Sequence, residues 1–261
     1  MNDATWAYGV TTVPSRASTL LPQTLVSLAE AGFSKPRLFV DGYVRREEYV
    51  GYGLEVTHRD TTIGVTGNWY LALTELYVRH PFSERYAIFQ DDILMCRNVR
   101  SYLDSKKLPE DGYLNLMTFM DNERVVENMQ PGWYEARWLN DSHKLQSGRS
   151  AVALVFPRKA VTELLSSASL VERFRDKIWG GIKIDGAVVE VMNKAGWVEY
   201  VHNPSLVQHA GDISAIRNPQ YVGMMRASGY TNDIKRKTHP KALTFPGQQY
   251  DAMELLCSAT R

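Results

Sequence analysis

The chain has 261 residues, 44% apolar and 23% charged, with 30 basic side chains against 29 acidic ones for a net charge of +1. That profile suits one large domain, or one domain with a long appendage, with the composition of a soluble globule and a substantial core, and advertises neither a nucleic-acid nor a membrane partner. The two cysteines, Cys96 and Cys257, show no CxxC or Cys/His spacing, which predicts reduced thiols and no zinc site.

Ala7 to Val13 (AYGVTTV) reads as a buried strand. A helix follows. Ser18 or Thr19 can cap it, Pro22 suits its first turn, and TLVSLAEAG has helical spacing closed by Gly32. Arg37 to Gly42 (RLFVDG) is a second strand ending on Asp41, and Leu54 to His58 (LEVTH) is a third. TTIGVTGNWYLALTELYVRH begins as a glycine-containing turn and becomes a helix with Trp69, Leu73 and Leu76 along one face. Tyr86 to Gln90 (YAIFQ) is the next strand and runs into Asp91 and Asp92. Strand, helix, strand, strand, helix, strand predicts an α/β fold with a mostly parallel central sheet and right-handed crossovers. Ligands bind at the carboxyl ends of the strands in such sheets. Thr11, Thr12, Asp41, Asp91 and Asp92 all fall at such ends.

The second half is more mixed. Gly112 to Met117, Gly132 to Trp138 and Ser150 to Phe156 predict strands, and PRKAVTELLSSA predicts a helix opened by Pro157. DGAVVEVMNKAGW is a further helix, with Asp185 at or near its N-cap and Gly196 just past its end. WVEYVHNPSLVQHAG holds one or two short strands. From Asp212 onward the pattern breaks up, and Pro219, Pro240 and Pro246 suggest an irregular C-terminal segment wrapping the body. No run approaches the ~20 apolar residues of a membrane helix. The opening MNDATWAYGVTTV has no basic segment followed by an apolar one, so a cytoplasmic location is expected.

Two adjacent carboxylates at the end of an apolar strand repel each other and gain nothing from a core. A hard divalent cation prefers carboxylate oxygens, and a nucleotide diphosphate often completes its coordination. On this reading Asp92 ligates the ion and Asp91 holds a ribose hydroxyl or a water. The plainer reading is a solvated turn, or Asp92 capping the segment that follows.

With these motifs in this order, the chain resembles the GT-A glycosyltransferases, particularly the family 2-like and family 54-like enzymes, over roughly residues 7–215. Their nucleotide-sugar domain runs from an N-terminal strand to a DxD or EDD motif, which stands here as Gln90-Asp91-Asp92. The resemblance implies a Rossmann-like GT-A domain over residues 1–215, with helices flanking a mostly parallel central sheet. Residues 1–98 would form its nucleotide-binding half and 99–215 its acceptor and catalytic half, with 216–261 as a C-terminal extension packed on it.

The resemblance also implies roles for individual residues. Thr11, Thr12 and Arg16 would touch the base and ribose, and Asp41 would face the nucleoside, although an Asp before Gly42 is also a common turn. Gly64, Gly67 and Asn68 would let the backbone approach the nucleotide, or else form a plain helix turn. Asp185 would be the general base, with Glu190 as fallback; its plainer role is a helix cap worth ~1 kcal/mol. His209, in QHAGDIS, would ligate the metal or donate to the pyrophosphate, and Ser214 would hydrogen-bond a phosphate. Gln146 to Gly148 would lie beside the donor sugar, while Trp133, Trp138 and Trp179 are candidates for an acceptor platform or for core packing.

The activity implied is metal-dependent (Mn2+ or Mg2+) inverting transfer of a sugar from a nucleotide diphosphate sugar, a UDP-sugar first, to a hydroxyl acceptor. The acceptor would be a glycan, protein or small molecule. Arg226, Lys235, Arg236, Lys237 and Lys241 leave room for hydroxymethylated DNA. A metal-dependent nucleotidyltransferase or a non-catalytic nucleotide-sugar binding module are the alternatives of another class.

Overall fold

The first strand, β1 (Trp6–Thr12), is covered on both faces, so its sequence is an almost continuous apolar and β-branched run. The computed structural model describes residues 5–43, 47–105, 108–118, 122, 126, 128–136, 150–175, 184–211 and 241–258. Seven more strands join β1 in one sheet: β2 (Arg37–Val40), β3 (Val56–His58), β4 (Arg85–Gln90), β6 (Gly112–Asn115), β7 (Gly132–Glu135), β8 (Ala153–Pro157) and β9 (Val198–Asn203). Their order is β3-β2-β1-β4-β8-β6-β9-β7. The first four are parallel, and β6 and β9 run the same way; β8 and β7 run against them. Gly9 lets β2 lie close. A Cβ there would sit 2.8 Å from the Arg37 carbonyl oxygen and closer still to the Phe39 ring.

Helices cover both faces. One face carries α1 (Leu20–Glu30), a single turn α2 (Glu47–Val50) and α4 (Val99–Ser105). On this side Phe33 packs edge-on against Trp6, Tyr8 and Phe89 at centroid distances of 5.3, 5.2 and 5.1 Å. The other face carries α3 (Gly64–Arg79), α5 (Arg158–Ser166), α6 (Ala168–Arg175) and α7 (Ile184–Lys194). The predicted face of α3, Trp69, Leu73 and Leu76, is fully buried there. Each such side chain contributes ~1.5–3 kcal/mol by leaving water. Gly32 ends the first helix at φ +97°, a conformation that favours glycine.

A second, smaller sheet explains how the N-terminal half meets the C-terminal third. Immediately after Asp92 the chain forms β5 (Ile93–Met95), which pairs antiparallel with β10 (Val207–His209). The other edge of β5 has side-chain partners on α1. Thr24 Oγ1 accepts from the Ile93 amide at 3.1 Å and contacts the Asp91 and Ile93 carbonyls at 2.9 and 3.0 Å. Ser27 Oγ accepts from the Met95 amide at 2.7 Å. Two hydroxyls one helical turn apart thus replace a neighbouring strand, which is why polar side chains line the buried stripe of α1.

Residues 241–258 run along this small sheet and end in α8 (Glu254–Ser258). The Gln208 side chain exchanges two hydrogen bonds with the Ala242 backbone, 2.8 and 2.9 Å. Among the described residues no helix is long and apolar enough to cross a membrane.

Removing the Thr24 hydroxyl strands buried backbone groups on both sides of the aspartate pair. Thr24→Val should therefore cost ~1–3 kcal/mol, read as a lower urea midpoint at unchanged m value. An unchanged midpoint would show that β5 does not depend on that hydroxyl.

Candidate active site

The carboxyl edge of β1 and β4 gathers side chains from three distant parts of the chain. Thr11 Oγ1 donates to the Phe89 carbonyl at 3.3 Å and closes the end of the β1–β4 pairing. Thr12 Oγ1 donates to Asp91 Oδ2 at 2.5 Å. A short 3-10 turn, Pro14–Arg16, then doubles back, with the Ala17 amide donating to the Pro14 carbonyl at 3.2 Å and the Tyr52 hydroxyl donating to the Ala17 carbonyl. This turn aims Arg16 inward. Its Nη1 lies 2.6 Å from Asp91 Oδ1 and 2.7 Å from Asp92 Oδ2. One guanidinium nitrogen bridges both carboxylates, and Arg16, Asp91 and Asp92 are all buried.

The β5–β10 pairing sets His209 opposite Ile93, and the Ala210 amide donates to the Asp92 carbonyl at 2.7 Å. His209 Nδ1 thereby stands 3.8 Å from Asp92 Oδ1, longer than a hydrogen bond. Lys241 Nζ donates to the His209 and Gly211 backbone carbonyls at 2.8 and 3.1 Å.

Burial and charge separate the two aspartates. Burial pushes Asp91 up to about 6; Arg16 pulls it back and Asp92 adds to the rise. Burial alone would raise Asp92 too, but His209 and Arg16 outweigh it and hold that carboxyl below the ordinary carboxylate range. With both ionised, one negative charge remains beyond what Arg16 neutralises. The Tyr49 phenol, buried on α2, is pushed up to about 12 by burial first, with Glu48, Tyr52 and Asp91 adding.

Asp41 and Asn68 lie at the neighbouring strand end. Asp41 accepts the Ile63 and Gly64 amides at 2.8 and 2.9 Å, one on each oxygen, and so caps the start of α3. Asn68 Nδ2 donates to the Phe39 carbonyl at 2.8 Å, and its Oδ1 accepts from Arg59 Nε at 3.3 Å. Both residues tie α3 to β2.

Asp185 sits in the first turn of α7, half-buried. That helix runs into β9, whose first residue Val198 lies at the same sheet edge as Arg85, the start of β4. Its 11 residues span ~16 Å, roughly the height of the sheet.

Trp133 packs against His202 at 4.8 Å between ring centroids. His202 Nδ1 donates to the Pro204 carbonyl at 2.7 Å, so Nε2 accepts from the Tyr102 hydroxyl at 2.8 Å. Ser214, Trp138, Trp179, Gln146 to Gly148 and, apart from Lys241, the C-terminal basic cluster lie outside the described residues.

Among the described residues no group of three or more His, Cys, Asp and Glu side chains is gathered as a metal cage. The donor chemistry of Asp92 and His209 nevertheless suits a divalent ion. Two ligands each ~2.1–2.2 Å from one ion lie ~3 to ~4.3 Å apart, from cis to trans. The 3.8 Å between Asp92 Oδ1 and His209 Nδ1 falls inside that range.

No protein-family model matches the chain, and no curated protein matches it in sequence. Solved structures do. GalNAc-T7 with UDP, GalNAc and Mn2+ superposes at a TM-score of 0.51 with 11% identity, over 80% of this chain and 44% of that one. A putative glucose-1-phosphate thymidylyltransferase from Bacillus anthracis gives 0.46 at 11% identity, over 93% and 98% of the two chains. The inositol-1-phosphate CTP transferase from T. maritima gives 0.46 at 14% identity, over 90% and 99%. At scores under 0.5 the latter two add nothing to the argument. The likeness to GalNAc-T7 shows the fold: the chain has a Rossmann-like, GT-A-type α/β architecture.

Asp41→Ala should cost ~0.5–2 kcal/mol by freeing the first amides of α3. Thermal unfolding without added nucleotide reads this directly. A Tm equal to wild type would show that the cap is dispensable.

Proposed function

We propose that the chain is a metal-dependent inverting glycosyltransferase that moves a sugar from a nucleotide diphosphate sugar, a UDP-sugar first, to a hydroxyl acceptor. One observation carries this reading: Asp92 and His209, 117 residues apart in the sequence, stand 3.8 Å apart at the carboxyl edge of β1 and β4. Loops at that edge are where α/β sheets take nucleotides. A divalent cation held by Asp92 and His209 would neutralise charge developing on a leaving diphosphate.

The chain's own groups would do the rest. Arg16 and Thr12 hold Asp91, and the Asp91 carboxylate in turn fixes the Arg16 guanidinium beside Asp92. Asp41 keeps the start of α3 in place next to the nucleoside position. Lys241 ties the His209 backbone carbonyl to the C-terminal segment. Asp185, at the start of α7, would accept the proton of the acceptor hydroxyl as its oxygen attacks the anomeric carbon. The transition state would be oxocarbenium-like. The acceptor hydroxyl would belong to a glycan, a protein or a small molecule.

The test is product release from an array of nucleotide sugars with Mn2+ and a panel of acceptors that includes hydroxymethylated DNA. Nucleoside diphosphate is the expected product; sugar 1-phosphate released from the same donors, or pyrophosphate released from a nucleoside triphosphate and a sugar 1-phosphate, would mark nucleotidyl transfer instead. Asp185→Asn should lower kcat ~100- to 10,000-fold while leaving the donor KM close to wild type. Asp92→Asn should weaken donor and Mn2+ binding together. Full turnover by Asp185→Asn, or nucleotide-sugar binding indifferent to Asp92→Asn, would contradict the assignment.

A further inference from the structure

Arg16 sits where a cation is needed, yet it is part of the chain. Its Nη1 spends contacts of 2.6 and 2.7 Å on Asp91 and Asp92, with only 8% of the residue exposed. Both Asp91 oxygens are committed, one to Thr12 and one to Arg16. On the metal reading given above, an ion arriving at this site would find Asp92 and His209 as its protein ligands. It would also find a fixed positive charge on the far oxygen of Asp92.

The guanidinium cannot shed its charge by deprotonation. Nor is it on a free arm, because the Pro14–Arg16 turn and the Tyr52 hydroxyl on the Ala17 carbonyl anchor its backbone. Repulsion between the guanidinium and a divalent ion a few ångströms away is strong in so dry a site. A nucleotide diphosphate brings both negative charge and additional oxygen ligands, and so removes both handicaps at once.

Resting on the metal reading given above, we propose that Arg16 is a resident cation that keeps the Asp91–Asp92 site weak for a free divalent ion, so that the ion enters with the nucleotide diphosphate rather than ahead of it. Arg16 is then a positioning residue that sets the order of binding. It reaches the metal through Asp92 and needs no contact with the base or ribose.

Calorimetric titration of the full chain with Mn2+, with and without saturating UDP, tests this. Wild type should bind Mn2+ alone at least ~10-fold more weakly than with UDP, and Arg16→Met should bind Mn2+ alone at least ~10-fold more tightly than wild type, with a smaller UDP effect. A merely structural role for Arg16 predicts a loss of binding, not a gain. Because Arg16→Met leaves two buried carboxylates face to face and threatens folding, the same comparison is made between Asp91→Asn and Asp91→Asn/Arg16→Met. There the carboxylate pair is already broken, and the same gain is expected.

Mn2+ affinity unchanged or reduced on removing Arg16 in both backgrounds overturns the proposal. If Mn2+ still binds with UDP, and Asp92→Asn abolishes that binding, the glycosyltransferase reading survives the loss. If no variant and no wild-type sample binds Mn2+ with or without UDP, both fall together.

Discussion

Two ionised carboxylates on consecutive residues are buried side by side at high cost unless positive charge stands between them. Each ion taken from water costs several kcal/mol, and their repulsion adds to that. Arg16 meets the requirement with a single nitrogen placed against both Asp91 and Asp92. The surrounding architecture follows from holding that nitrogen and those two carboxylates in register. β1 and β4 must be adjacent and parallel so that Thr12 and the turn after it reach Asp91. Thr24 must lie on the buried stripe of α1 to hold the Asp91 and Ile93 backbone.

The same constraint links sequence-distant parts into one site. β5 leaves the aspartate pair and is held on one edge by helix hydroxyls and on the other by β10. That second pairing brings His209 to Asp92, and the Gln208 and Lys241 contacts fasten residues 241 and 242 to the same spot. A metal or diphosphate bound here would therefore bridge the N-terminal half, the β10 segment and the start of the C-terminal segment. Binding energy at such a junction stabilises the whole fold by linkage.

Much of this was legible in the sequence. The first-half elements announce themselves because strands buried on both faces are near-continuous apolar runs, and because α3 repeats its large side chains at helical spacing. Asp91 and Asp92 stand out as charge at the end of such a run. His209 was marked by a segment match alone, since one His carries no spacing. Other features have no local signature. Arg16 stands out only through the resemblance of its segment, which points it at a nucleotide, and only the long-range β1–β4 pairing reveals its bonds to the aspartates. Thr24 and Ser27 look like ordinary helix residues until β5, three residues long, is seen to lack a strand on that side. Asp41 stands out at a strand end, but its bonds to the Ile63 and Gly64 amides, 22 and 23 residues onward, have no local signature. His202, fully buried between Tyr102 and Trp133, was invisible because its partners come from other elements.

Diffraction from crystals grown with UDP and Mn2+, collected at the manganese edge, tests the central claim most directly. The account predicts an anomalous peak within ~2.5 Å of Asp92 and His209, with the diphosphate beside it at the ends of β1 and β4. An ordered diphosphate bound anywhere else, or a manganese peak away from Asp92, would contradict it.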